Sequence, residues 1–247
     1  MKVTTIKTHK ITVKDTNLYT ILDRYLSKVS EKTIVVVTSK IIAITEGRIV
    51  KIGDISKNEL VQQEAEYFLP PDPKYHFSLT IKNSLLIPSA GIDESNGNGY
   101  YILWPGNPQN CAYQIREYLT KRFNLKNVGV IITDSKTTPL RWGVTGTAIA
   151  YSGFVPLNNK IGTPDIFGRK LQATQVNIMD GLAASAVVVM GETNEQTPIA
   201  IIEDVPFVEF QDRNPTDEEL NALKIAIKDD LYAPLLQSVE WKRGRVK

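Results

Sequence analysis

Several kinds of chemistry have little to work with in this sequence. One cysteine, Cys111, occurs in 247 residues, so no intrachain disulfide can form and a reducing compartment is expected. The two histidines, His9 and His76, lie in no Cys/His motif that would activate a thiol. Cys111 therefore reads as a packing residue on a helix face. There is no Walker A loop, no G-x-G-x-x-G turn, no Cys/His metal ribbon and no G-x-S-x-G elbow. Apolar runs are short. The longest, residues 186–190 with small residues before it, falls far below the roughly 20 residues that span a bilayer. The opening MKVTTIKTHK alternates in polarity and lacks the apolar core of a signal peptide. A cytoplasmic protein is expected. Neither charge sign dominates. Lys and Arg total 29 against 27 Asp and Glu, a net charge of +2, so no field calls for nucleic acid or a membrane surface. The basic group Lys242, Arg243, Arg245 and Lys247 reads as a solvated C-terminus.

What is present is ordinary for a globular chain: 42% apolar and 23% charged residues, enough length to bury a core without staples. No internal repeat or low-complexity linker divides residues 1–247, which read as one unit. Asp15 or Thr16 can cap a helix with the apolar face Leu18, Ile21, Leu22, Tyr25 and Leu26. Thr33–Thr38 (TIVVVT) is a β-branched run expected as a buried strand, with 40–44 continuing extended and Glu46-Gly47-Arg48 turning into Ile49-Val50. Residues 58–68 read as a helix stopped by Pro70-Pro71. A hairpin over 77–81 and 85–87 leads to the flexible exit at Gly97 and Gly99 and a strand at 100–103. Helices are expected over 112–123 and 174–190, and strands over 128–133, 146–152 and 199–202. Thr216 with Glu219 three residues on signals a capping box. Strands and helices mix without strict alternation, which makes the fold class α+β.

Acidic residues at element ends are the chemical feature. Asp93 sits in AGIDESN after the hairpin, Asp134 follows the strand 128–133 with Ser135 next, and Glu192 follows Gly191. Carboxylates just beyond buried elements can converge on Mg²⁺ or Mn²⁺, which favour oxygen ligands and leave positions for phosphate oxygens. Each Asp can equally cap a turn, and spacing alone does not bring the three together. Thr38-Ser39-Lys40, Arg141-Trp142-Gly143 and the loop DIFGR (165–169) add small and basic residues suited to phosphate. Arg141 reads equally well as a surface charge. Tyr100, Tyr101 and Trp104 form an aromatic cluster that fits either an interface core or the monomer core.

These segments carry a family resemblance. VVVTSKIIAITEGRIV, SAGIDESN, VGVIITDSKTTPLRWGVTGTAIAYSG, GTPDIFGR and MGETNEQTP, in that order over residues 35–202, resemble the motifs of coenzyme F-420:L-glutamate ligases. The resemblance implies a γ-glutamyl ligase that joins the amine of L-glutamate to an acceptor carboxylate. It implies GTP (or ATP) as co-substrate, Mg²⁺ or Mn²⁺, and an acyl phosphate intermediate. It puts metal ligands at Asp93, Asp134, Ser135 and Glu192, and nucleotide contacts at Ser39, Lys40, Asn96, Met190, Gly191, Thr193, Asn194 and Thr197. Ser135 stands where a threonine is common, and Arg141 takes a phosphate or carboxylate role. The family fold is two-lobed, with mixed or antiparallel sheets and flanking helices, and forms an interlocked homodimer with the site near the interface. Three departures alter the nucleotide and acceptor walls. Ile44 replaces a common lysine, His9-Lys10-Ile11-Thr12 replaces a Leu-Pro-x-Ile turn, and Asn107-Pro108 replaces Asp-Pro. The sequence is similar to the bacterial branch of γ-glutamate ligases linked to folate metabolism, so a folate-like or other carboxylate-bearing cofactor is the expected acceptor. The alternative is a non-catalytic nucleotide- or cofactor-binding protein on the same scaffold. Loss of the lysine at position 44 favours that alternative, and the retained acidic set favours the ligase.

Overall fold

β-Branched runs organise the centre of the molecule, as a computed structural model describing residues 1–245 shows; Lys247 of the basic tail lies outside the described residues. The first half of the chain runs β1 (Lys2–Ile6), α1 (Leu18–Tyr25), β2 (Thr33–Thr38), α2 (Ser39–Thr45), β3 (Ile49–Lys51) and α3 (Lys57–Glu64). Four short strands follow: β4 (Tyr67–Phe68), β5 (Leu79–Lys82), β6 (Leu85–Pro88) and β7 (Tyr100–Ile102). Then come α4 (Pro108–Phe123), β8 (Val128–Thr138), β9 (Arg141–Ser152), β10 (Leu157–Asn159), β11 (Gln175–Asn177) and α5 (Ile178–Met190). The chain closes with β12 (Ile199–Glu203), α6 (Asp217–Asn221), α7 (Ala233–Leu236) and β13 (Lys242–Arg243).

The main sheet has the order β1-β12-β2-β8-β9. Its one parallel pair is β2 with β8, in register from Thr33 opposite Val128 to Thr38 opposite Thr133. Side chains alternate across a pleated strand, and β2 obeys this on both faces. Val35 and Val37 meet Leu22 of α1 and Ile115 and Leu119 of α4. Ile34 and Val36 meet Leu182, Ala183 and Ala186 of α5. A central strand covered on both faces reads as a continuous apolar run, which is what TIVVVT is. A smaller core of Leu60, Val61, Ile92, Tyr101 and Leu103 joins α3 to the strands around β7. A four-stranded sheet, β13-β4-β5-β6, lies alongside. The class is therefore α+β with several sheets.

Several local expectations are corrected. Residues 40–44 are helical, not extended: Ser39–Thr45 is α2, with Ile41, Ile42, Ala43 and Ile44 all buried. A β-branched run suits a strand on local grounds, and tertiary burial overrides that preference. The cap of α1 is Asn17, whose side chain accepts from Tyr19 N and Thr20 N, not Asp15 or Thr16. The helix expected over 58–68 ends at Glu64, and Tyr67–Phe68 becomes a strand paired with β5. β8 does not stop at Asp134 but runs to Thr138, so Asp134 is an in-strand residue beside a register shift at Ile132/Thr133. The helix expected from 174 starts at Ile178, because Gln175–Asn177 pairs with β10. Tyr101 and Trp104 are buried within the single chain, so this part of the aromatic cluster fills the monomer core. Among the described residues no helix is long and apolar enough to cross a membrane.

Candidate active site

The parallel pair β2/β8 carries its functional residues at and beyond its C-terminal end, the usual place for ligands on such sheets. β2 ends at Thr38 and passes straight into Ser39 and Lys40 of α2. β8 presents Thr133, Asp134 and Ser135 beside them. The loop after α5 closes a third side, tied down by Thr38 N–H donating to Pro198 O at 3.0 Å and Thr8 N–H donating to Gln196 O at 2.8 Å. The fourth side is the 93–98 turn. Together they enclose a cavity of about 520 Å³. Every cation and nucleotide residue implied by the resemblance lines it: Asp93, Asp134, Ser135 and Glu192, with Ser39, Lys40, Asn96, Met190, Gly191, Thr193, Asn194 and Thr197. Arg141 does not. It opens β9 in an exposed hairpin tip between Leu140 and Trp142 and stands outside the cavity of its own chain.

Lys40 and Asp93 are the central charge pair. Lys40 Nζ lies 2.5 Å from Asp93 Oδ2 and also donates to Ser95 O and Ser95 Oγ, each at 3.1 Å. Ser95 in turn donates from N and Oγ to Asp93 Oδ1, at 2.9 and 2.8 Å. Burial pushes the Asp93 carboxyl up, but the Lys40 ammonium and the Ser95 donors outweigh it and hold Asp93 below its ordinary value. Asp134 behaves oppositely. Burial pushes it up to about 6, with the nearby Asp93 adding to the rise, against hydrogen bonds from the Trp104 indole and Ser135 N–H. Ser135 Oγ reaches across to Glu192 Oε1 at 2.8 Å. Asn96, in the left-handed region at φ 58°, spans the mouth by donating from Nδ2 to Thr193 O at 2.8 Å.

The loop from Gly191 to Thr197 is built on its own side chains. Gly191 has φ 81° and ψ 168°, a backbone conformation that side chains bearing a Cβ rarely adopt, so glycine is required, and its bare Cα leaves room for the Glu195 carboxylate. Glu195 uses that room to accept from Thr193 N and Thr193 Oγ1, both at 2.9 Å. The opposite wall, residues 8–13, is locked by His9. Its Nε2 lies 2.8 Å from Asp15 Oδ1 and its Nδ1 lies 2.8 Å from Tyr25 Oη. Both ring nitrogens are engaged, so His9 holds the wall and has no free nitrogen for proton transfer. Ile44 lines the cavity with Ile11, Ile41, Ile49 and Ile102, giving an apolar surface where the resemblance implies a lysine.

Sequence reasoning missed three contributors. Ser95, the His9–Asp15–Tyr25 lock and Trp104 carry no spacing signal. Only the general rule that a buried indole N–H seeks an acceptor hints at Trp104. Cys111 is as expected. Its Sγ donates to Glu46 Oε1 at 2.9 Å, and burial together with that carboxylate raises the thiol to about 12, far from a reactive thiolate.

Among the described residues no three acidic, histidine or cysteine side chains converge as a ready-formed metal centre. Asp93, Asp134, Ser135 and Glu192, which all line the cavity, still fit a hard divalent cation in type, since each offers a carboxylate or hydroxyl oxygen. Asp93 is also close enough to raise Asp134, a repulsion that a cation relieves.

A family model described as F420-0:Gamma-glutamyl ligase matches residues 5–204. A protein named coenzyme F420:L-glutamate ligase from Methanococcus maripaludis strain C7 is 44% identical over 131 residues, covering 53% of this chain and 52% of that relative. A relative of the same name from a second Methanococcus maripaludis strain is 38% identical over 162 residues, covering 66% and 63%. A third of that name, from Methanocaldococcus jannaschii, is 40% identical over 144 residues, covering 56% and 57%. The chain thus spans between half and two thirds of these relatives' length.

Proposed function

Because the chain belongs to the F420-0:gamma-glutamyl ligase family, we propose that it joins L-glutamate to a carboxylate-bearing acceptor, a folate-like cofactor or a relative of one, with hydrolysis of GTP or ATP. The observation that carries this reading is the shared cavity: all the residues implied for cation and nucleotide line it, and only Arg141, implied for a phosphate or carboxylate, stands outside. In the proposed sequence, an acceptor carboxylate oxygen attacks the γ-phosphorus and releases the nucleoside diphosphate. The glutamate amine then attacks the acyl carbon, loses a proton and expels inorganic phosphate. Lys40 is the residue on hand to neutralise phosphate charge, since its ammonium lies in the cavity wall. Asp93, Asp134, Ser135 and Glu192 are the candidate ligands for Mg²⁺ or Mn²⁺. When bound, such a cation supplies charge neutralisation to the phosphate oxygens. Asn96 and Thr193, bonded across the mouth, hold the 191–197 loop against the 93–98 turn. Arg141, on an exposed hairpin outside the cavity of its own chain, is proposed to serve the cavity of a second copy.

That last point supports a homodimer. The β8–β9 hairpin tip exposes Leu140, Trp142 and Val144, and α5 exposes Val188, apolar surface of the kind that associates. Light scattering over a range of concentrations tests it, and a monomer throughout refutes it. Ile44 on the cavity wall favours the second reading, a binding protein without turnover. Labelled glutamate, Mg²⁺ or Mn²⁺, GTP or ATP and a panel of carboxylate acceptors decide between the two. Incorporation of label is expected. Saturable nucleotide binding with no product on any acceptor favours the binding protein.

A further inference from the structure

Asp134 is held from behind by a side chain that lies outside the cavity. The indole Nε1–H of Trp104 donates to Asp134 Oδ2, while Asp134 Oδ1 accepts from Ser135 N–H at 2.9 Å. Trp104 does not line the cavity and is 1% exposed. It is itself clamped on three sides. Its carbonyl oxygen accepts from Arg48 Nε at 3.1 Å. Lys82 Nζ stands 5.2 Å from the ring centroid, within range of a cation–π contact. Gly91, at φ 71°, lets the indole come so close that a Cβ there would lie 2.1 Å from Nε1. Glu64 joins the two cations, accepting from Arg48 Nη2 at 2.7 and 2.8 Å and from Lys82 Nζ at 2.8 Å. Glu64 shares α3 with Leu60 and Val61, and Gly91 and Trp104 adjoin Ile92 and Leu103 in the chain, so the elements that carry the smaller core also carry this set.

We propose that Trp104 is a positioning residue: clamped by Arg48, Lys82 and Gly91, its indole N–H fixes the orientation of the Asp134 carboxylate toward the cavity. A hydrogen bond to a ligating carboxylate from outside the ligand set orients it for the cation, and loss of such a partner typically weakens metal binding about 10–100-fold. The inference rests on the reading of Asp134 as a cation ligand and adds the residue that aims it.

Two measurements test it. The sequence has three tryptophans, Trp104, Trp142 and Trp241, so a ¹⁵N–¹H spectrum contains three indole signals. In Asp134→Asn the Trp104 signal is expected to move while those of Trp142 and Trp241 stay. This arm needs no change to the buried ring. Trp104→Phe keeps an aromatic ring and removes the donor. Its Mn²⁺ affinity, measured by calorimetry on the folded protein, is expected to fall about tenfold or more. An unmoved Trp104 signal in Asp134→Asn overturns the proposal, as does wild-type Mn²⁺ affinity in Trp104→Phe. If the wild-type protein itself takes up no Mn²⁺, the cation reading of Asp134 fails and takes this role for Trp104 with it.

Discussion

Replacing Glu64 by Ala is expected to destabilise the protein strongly, and less so as the pH rises. Glu64 and Lys82 have side chains only 16% and 10% exposed, and Arg48, at 33%, has partial access to water. After truncation Arg48 can turn outward, but Lys82 is left buried beside an aromatic ring without its carboxylate. Removing one partner of a buried pair costs about 3–5 kcal/mol. A ceiling follows from the lysine itself. Burial already pushes Lys82 below its ordinary value of 10.5, and Glu64 is the largest influence in the other direction. Once Glu64 is gone, the cheapest response is loss of the proton, which at pH 7 costs at most about 5 kcal/mol at about 1.4 kcal/mol per pH unit. The sign of the pH dependence follows from linkage. A lysine depressed in the folded state binds fewer protons there than when unfolded, so the variant gains stability as pH rises. At pH 9 the ceiling is about 2 kcal/mol. Urea unfolding followed by circular dichroism at pH 7 and pH 9 measures both values, and Glu64→Ala with Lys82→Met should recover much of the loss. A cost below about 1 kcal/mol at pH 7, or one that grows with pH, refutes the reasoning, because it means that Lys82 reaches water.

Two further outcomes are expected at the cavity. Lys40→Met should weaken nucleoside triphosphate binding by about 10–100-fold, the worth of a charge-assisted contact, and leave nucleoside binding nearly unchanged. Calorimetry with both ligands checks this, and equal loss for the two would point to a structural role through Asp93. Asp134→Asn should abolish Mn²⁺ binding and leave the thermal midpoint at least as high as in the wild type. It removes a carboxylate whose ionised form burial, and then the nearby Asp93, disfavours. Unchanged metal affinity removes Asp134 from the ligand set.

The sequence by itself determined the class of fold, the central strand and the order of the motifs. TIVVVT read as a buried strand and is one, and the capping box at Thr216 and Glu219 formed where its spacing said, each accepting the other's backbone N–H. The ordered motifs of the family resemblance named residues that line one cavity, because small, acidic and basic residues in a fixed order leave a recognisable string. Tertiary structure decided the rest. It turned 39–45 into a helix, since burial of Ile41, Ile42 and Ile44 outweighs the strand preference of β-branched residues. It carried β8 past Asp134, placing that carboxylate inside a strand where burial raises its pKa. It excluded Arg141 from the cavity of its own chain by lifting it on a hairpin. Trp104 and Asp134 are 30 positions apart and Asn96 and Thr193 are 97 apart. No local propensity encodes such meetings. They exist because the fold brings residues far apart in the chain to the C-terminal end of the β2/β8 pair.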